Sequence, residues 1–365
     1  MSSLPRQAFP SLSAVGTALP PHFASQEAII AAFRAVWSQH HFNVDRLEEL
    51  HRAVRVKGRH FALPLEEYPA LQRFAERNDA WTKVGLEVGA EALTRAAEAA
   101  EVRLSEIDHL FFVTVTGIAT PSLDARLVNR LGLRADLKRT PIFGLGCLAG
   151  AAGVARASDY LRAFPSHTAA LLSVELCSLT LQREDLSITN IIASGLFGDG
   201  AAAVVLKGAE HIGGPASVAR PVPRVVATRS VFYPDTERIM GWDVVDTGFK
   251  VVLSAKVPQL VRGHLRGDMD GFLAAHGLDR SRIRHWIAHT GGPKVLDAVG
   301  EALELPPSAL ERSWASLNEL GNLSSASVLF VLGDLLRAEE AEPGDFGVLL
   351  AMGPGFCAEL VLLQW

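Results

Sequence analysis

"PIFGLGCLAGAAGVARASDYL" occupies residues 141–161 and decides how the chain is read. An apolar run meets a glycine, then a single cysteine, Cys147, and then a helix-like stretch of small residues with two further glycines, Gly150 and Gly153. A buried cysteine is ordinarily a small hydrophobe. At the first turn of a helix the same residue can be a reactive thiolate, because the unpaired N–H groups there favour negative charge. The rest of the chain decides between these readings.

Outward from this corner, buried strands alternate with helices. "IDHLFFVTVTG" (107–117) reads as a strand and "TPSLDARLVNRLGL" (120–133) as a helix. "TPIFGLG" then forms a second strand and "CLAGAAGVARASDYLRAF" (147–164) a second helix. "TAALLSVELCS" (168–178) and "GAAAVVLKG" (200–208) are further strands, and residues 25–105 carry helical spacing. Such alternation predicts an α/β layered fold.

The order then repeats. "IRHWIAHTGG" (283–292) and "PKVLDAVGEALEL" (293–305) parallel "IDHLFFVTVTG" and "PSLDARLVNRLGL": a His, an apolar strand, Thr-Gly, a proline, an Asp-Ala pair and a closing leucine. "GNLSSASVLFVLGDLL" (321–336) stands where "GCLAGAAGVARASDYL" (146–161) stood, and "FGVLLAMGPGFCAELVLLQW" ends the sequence as strand, turn and strand. Two ordered coincidences favour a duplicated chain. The proline-rich "GGPASVARPVPRVVA" (213–227) is the expected seam, dividing it into 1–215 with the cysteine and 216–365 with a histidine and an asparagine.

Length and composition suit such an arrangement. The chain has 365 residues, 48% hydrophobic and 21% charged, enough for a sizeable core. A net charge of -5 argues against a general nucleic-acid binder. The three cysteines are scattered without a CxxC pair, which points to a reducing compartment. With no signal-peptide pattern and no run of about 18 apolar residues, a cytoplasmic protein without a membrane span is expected. No His/Cys/Asp/Glu set has metal-ligand spacing. "GDGAAAVV" (198–205) lacks the spacing of a phosphate loop and leads into a strand.

If the halves pack as related units, equivalent helix openings and strand ends meet at a common crevice. Cys147 then lies near His289 and Asn322. Alone, each has an ordinary explanation: core packing, a turn, an N-cap. Together they have a chemistry. A thiolate takes an acyl group from a thioester; the imidazole stabilises the thiolate, and imidazole and amide donate to a developing oxyanion.

"GLGCLAGAAGVARA", "GLFGDGAAAVV", "IAHTGGPKVLDAV", "GNLSSASVLFVL" and "AMGPGF" resemble, in order, the signature segments of type III polyketide synthases, the chalcone synthase-like branch of the thiolase fold. The resemblance runs from about residue 10 to the C-terminus. It implies a duplicated, five-layered αβαβα fold and a homodimer, with Cys147 as acyl carrier and His289 and Asn322 promoting malonyl decarboxylation. It also implies that Phe197 and Phe249 gate the cavity, and that Thr116, Thr120, Glu175, Cys177, Thr180, Met240, Ser324 and Pro354 line it. Thr120, before Pro121, takes the place of a methionine that each plant subunit lends its partner.

Cys177 stands where plant enzymes carry Thr, and Met240 where they carry Gly. A more apolar wall and a flexible thioether suit an alkyl chain. The pattern therefore predicts a fatty acyl-CoA starter extended with malonyl-CoA to an alkylpyrone or alkylresorcinol. For CoA phosphates, the basic cluster Arg52, Arg55, Lys57 and Arg59 is the candidate, Lys57 by resemblance. CoA thioesters are expected as substrates, with no resident cofactor or metal. The alternatives are an aromatic starter, a single-condensation ketoacyl-acyl carrier protein synthase III, a thiolase using Cys357, and a non-catalytic scaffold.

Overall fold

The structure, a computed structural model, describes residues 9–40, 43–211 and 221–365. The expected division at 215/216, and most of the 213–227 seam, lie outside the described residues. The first part of the chain holds β1 (Ser11–Ala18), β2 (His22–Ser25), β3 (Gly58–Phe61), β4 (His109–Thr114), β5 (Lys138–Phe143), β6 (Thr168–Leu176) and β7 (Asp199–Lys207). The second holds β8 (Arg224–Phe232), β9 (Met240–Val245), β10 (Gly248–Leu253), β11 (Ile283–Ala288), β12 (Phe346–Gly353) and β13 (Cys357–Gln364).

Strand order exposes the duplication. One sheet runs β11-β12-β13-β8-β1-β7-β6-β4-β5. In its first half β4 and β6 are parallel, β6 and β7 antiparallel, and β7 and β1 antiparallel. In its second half β11 and β12 are parallel, β12 and β13 antiparallel, and β13 and β8 antiparallel. The halves join where β1 meets β8 at the single pair Ser11↔Arg224.

Helices fill the spaces between and outside these sheets. β4, β6 and β7 are buried on both faces, as continuous apolar runs require. Their side chains divide by the period of two. Val113, Leu171 and Val204 point to a central core shared with helices Ala149–Ala163 and Ser327–Ala338. Phe112, Leu172 and Val205 point outward to helix Phe74–Ala99. In the second half Leu349 and Val361 face the centre, while Leu350 and Leu360 face helices Val257–Ala274 and Pro293–Leu303. Helix, sheet, helix pair, sheet, helix is the five-layered αβαβα order of the thiolase fold.

One expectation needs correcting. The helical reading of 25–105 missed β3, which pairs with β2 in a two-stranded ribbon, His22↔Phe61 to Ser25↔Gly58. Four residues are too few for a period to separate strand from helix. The pairing partner lies more than thirty residues away.

Candidate active site

Both central helices open at the crevice between the halves. Strand β5 ends at Phe143, and the chain turns through Gly144 (φ 98°) and Gly146 (φ 52°), left-handed conformations that favour glycine. A Cβ on Gly146 would fall 2.6 Å from the Pro354 ring of the Gly-Pro-Gly turn. Cys147 follows within the short 3-10 turn Gly146–Leu148 that leads into helix Ala149–Ala163. Across the crevice Gly321 (φ 74°) precedes Asn322, ahead of the turn Ser324–Ala326 and helix Ser327–Ala338. His289 directly follows β11, its N–H donating to Leu350 O at 3.0 Å.

Cys147, His289 and Asn322 line one cavity with Cys177, Phe197, Met240, Ser324 and Pro354, with about 60 Å³ of room for water. Asn322 is fixed on three sides. Its N–H donates to Leu196 O (2.9 Å), its carbonyl accepts from Gly198 N (3.0 Å), and its Oδ1 accepts from Ser324 N (2.8 Å). With Oδ1 committed to the backbone, Nδ2 is the amide group left to serve the cavity. The same bridge sets Phe197 beside Asn322. Cys147 is held more lightly, its Sγ 3.7 Å from Ser324 Oγ.

Burial governs the charges. It pushes the Cys147 thiol up to about 12, against the Ser324 hydrogen bond, and holds the His289 imidazole down at about 4. Burial thus opposes a separate charge on either group. Moving the proton from Sγ to the imidazole creates both charges together. His289 Nδ1 is buried without a hydrogen-bond partner.

Not every expected wall residue faces this cavity. Glu175 is fully buried behind it, and Thr116 with it. Glu175 Oε2 accepts from Val115 N (3.1 Å) and Thr116 Oγ1 (2.9 Å), while its other oxygen accepts from Ser325 Oγ. The carboxyl thus ties the end of β4 to the helix opening beside Asn322, and burial pushes it up to about 7. Thr180 lines a neighbouring cavity instead, and Thr120 is exposed. Phe249 is buried against Phe74 (ring centroids 5.2 Å) and Phe143 (6.0 Å), outside the set that lines the Cys147 cavity. Sequence reasoning missed Trp242 and Val251, which line both cavities. No period marks them, since neither β9 (MGWDVV) nor β10 (GFKVVL) alternates apolar with polar residues.

The basic cluster also divides. Arg59 is inside the protein, donating to Ser194 O at 2.6 Å, and burial holds its guanidinium down at about 10. Arg52 is taken up by Glu27, with two bonds of 2.9 Å, and by Glu48. Arg55, exposed, lies over the Trp314 ring at 5.3 Å, and Lys57 is exposed. Of the four, only Arg55 and Lys57 remain surface cations without an acidic neighbour pairing them. The "GDGAAAVV" segment is buried β7, where Asp199 accepts from Ala62 N (2.6 Å) and Ser178 N (2.8 Å). Among the described residues no cluster of three or more His, Cys, Asp or Glu is placed to hold a metal ion, and no helix is long and apolar enough to cross a membrane.

Duplicated halves that bring a thiol, an imidazole and an amide into one crevice make this an acyltransferase of the thiolase fold. The chain belongs to the chalcone and stilbene synthase family, the type III polyketide synthases: the family's N-terminal domain matches residues 6–210 and its C-terminal domain residues 224–365. It is 52% identical over 355 residues to a 1,3,6,8-tetrahydroxynaphthalene synthase of Streptomyces peucetius subsp. caesius, covering 97% of this chain and 93% of that one. To a 3,5-dihydroxyphenylacetyl-CoA synthase of Streptomyces toyocaensis it is 33% identical, over 100% of this chain and 92% of the other. The crystal structure of 1,3,6,8-tetrahydroxynaphthalene synthase from Streptomyces coelicolor A3(2), a bacterial type III polyketide synthase, superposes with a TM-score of 0.90. There the identity is 32%, over 97% of this chain and 99% of that one.

Proposed function

We propose that this chain condenses malonyl-CoA units iteratively on Cys147 and releases 1,3,6,8-tetrahydroxynaphthalene, the product in the name of its 52% identical relative. The observation that carries the reading is the convergence of Cys147, His289 and Asn322 on one cavity. Cys147 Sγ attacks a thioester carbonyl, its proton passes to His289, and the C–S bond to CoA breaks as the bond to Cys147 forms. A second malonyl-CoA then loses carbon dioxide, leaving its electron pair as an enolate whose oxygen receives hydrogen bonds from Asn322 Nδ2 and His289. The enolate carbon attacks the Cys147 thioester, the new C–C bond replaces C–S, and the lengthened chain leaves on CoA. No oxidant or reductant is consumed. The ten ring carbons of the product equal five two-carbon units, which leaves none for another starter.

A second reading, the fatty acyl starter with alkylpyrone or alkylresorcinol product, is favoured by one observation. A largely apolar cavity with about 150 Å³ of room adjoins the first across Cys177 and Phe197. Exposed Ile118 (52%) and Phe143 (51%), with Thr120 nearby in sequence, support the homodimer that the resemblance implies. Incubation with malonyl-CoA alone, followed by mass spectrometry, tests the first reading: a ten-carbon aromatic product is expected. Product only when a fatty acyl-CoA is supplied overturns it in favour of the second.

A further inference from the structure

Asn322 takes its place from the end of one helix. The last carbonyls of an α-helix have no partner inside it, and those of helix Ile188–Leu196 are met from distant parts of the chain. Ser194 O accepts from Arg59 Nη2 (2.6 Å), Gly195 O from Gln26 Nε2 (3.2 Å) and Leu196 O from Asn322 N (2.9 Å). Arg59 is the one cation in this set, and a cation suits a helix C-terminus.

The guanidinium is an expensive choice for packing alone. Arg59 is 1% exposed, yet Nε and Nη1 have no hydrogen-bond partner among the described residues. Asp199, whose charge acts on it, accepts instead from Ala62 N and Ser178 N. An interior cation with idle N–H groups costs stability, and an apolar side chain of similar length would fill the space without that cost. What it touches gives it another use. Its stem lies against the two glycines that flank the bridge between Phe197 and Asn322. An added Cβ would fall 3.4 Å from Arg59 Cβ at Gly198 and 3.1 Å from Arg59 Cδ at Gly321. The chain just before β3 holds the other side of the turn. Lys57 N donates to Asn318 O (2.7 Å), and Asn318 Nδ2 to Arg55 O (2.9 Å), on the helix Glu311–Leu320 that runs into Gly321.

We propose that Arg59 is a positioning residue for Asn322: from β3 it clamps the end of helix Ile188–Leu196 against the Gly321 turn, and so fixes the Leu196 carbonyl to which the asparagine backbone is bonded. The inference rests on Asn322 as a hydrogen-bond donor to the enolate. Arg59 lines neither cavity, so it acts through the asparagine and not on the substrate.

The test measures carbon dioxide release from malonyl-CoA and acyl loading of Cys147 in wild type, Arg59→Met, Arg59→Lys, Asn322→Ala and the double variant Arg59→Met with Asn322→Ala. Arg59→Met keeps the stem and removes the clamp. It should lower kcat for release about tenfold to a hundredfold, the scale of a misplaced group, with KM and the Cys147 adduct unchanged. Arg59→Lys, one bond shorter but still a charged donor, should recover most of that loss. In the double variant Arg59→Met should add nothing to the loss from Asn322→Ala, because its route to the reaction is gone. A merely structural role would lower loading and release together and add to the effect of Asn322→Ala. Should Arg59→Met not fold, Arg59→Gln, neutral and two bonds shorter, carries the same expectations. Normal release in Asn322→Ala overturns the asparagine's role and this inference with it. Slow release there, combined with normal release on losing Arg59, additive losses or no recovery with lysine, overturns the role of Arg59 alone.

Discussion

The openings of the two central helices, Gly146–Ala152 and Gly321–Ser327, are the same corner put to different uses. Each begins on a glycine with positive φ, 52° at Gly146 and 74° at Gly321. Each sinks its third residue, Leu148 or Leu323, into the central core. Between them the duplicated frame offers one side chain to the crevice, Cys147 in the first half and Asn322 in the second. Asn322 is bonded through N–H, carbonyl and Oδ1, whereas Cys147 Sγ has one long contact to Ser324. The difference follows the chemistry proposed for each. A donor aimed at developing charge works best when fixed beforehand, and a nucleophile that makes and breaks a bond each cycle needs room to move.

The sharpest way to break this comparison is to remove the thiol. Cys147→Ala should lose product to the limit of detection while keeping the fold, and acyl-CoA should leave no adduct on any peptide. An adduct persisting on Cys177 or Cys357 would transfer the nucleophile's role and end the comparison. Asn322→Ala should keep the Cys147 adduct yet release carbon dioxide from malonyl-CoA about a hundredfold to a thousandfold more slowly, the usual effect of losing one such donor. Normal release in that variant would show that the second corner is only structural.

A smaller effect sharpens the comparison where the helices touch. A Cβ on Gly150 would fall 2.2 Å from Ser325 O, a backbone atom that cannot turn aside. One on Gly153 would meet the Leu171 side chain at 2.4 Å, which can. Gly150→Ala should therefore cost about 1–3 kcal/mol, read from urea unfolding, and Gly153→Ala less. Equal costs would mean that the two openings tolerate separation.

The smallest effect is a pH slope. Glu175, bonded from both halves, has its carboxyl raised to about 7 in the folded protein from 4.5 unfolded. Between those values the folded state binds more of this proton, so this group makes stability fall as pH rises from about 4.5 to about 7. His289, held down at about 4, contributes the opposite slope between about 4 and 6.5. The wild-type slope is thus a sum, and the difference from Glu175→Gln isolates the carboxyl. Thermal melts from pH 4.5 to 7.5 should show the variant gaining on wild type as pH rises; parallel curves would remove Glu175 as a titrating link.

The sequence by itself determined the alternation of strands and helices around Cys147 and its repeat in the second half, though not the ribbons β2–β3 and β9–β10, and it determined the three residues of the crevice. Apolar periods of two and of three to four are local, and two copies of one pattern superimpose in any chain that folds by layers. Gly146-Cys147 and Gly321-Asn322 were legible because each is a helix opening written within a few residues. Only the tertiary structure decided what stands at the cavity wall. Glu175 and Thr116 lie behind it, since a carboxylate inside a protein goes where N–H and O–H groups from other segments converge. Arg59 is interior and Arg52 is paired, because their partners Ser194 and Glu27 come from distant parts of the chain. Trp242 reaches the wall through cross-strand pairing with Val251 and the packing of the ribbon against helix Ile188–Leu196 and the turn Cys177–Thr180, contacts between segments far apart in sequence that no local period records.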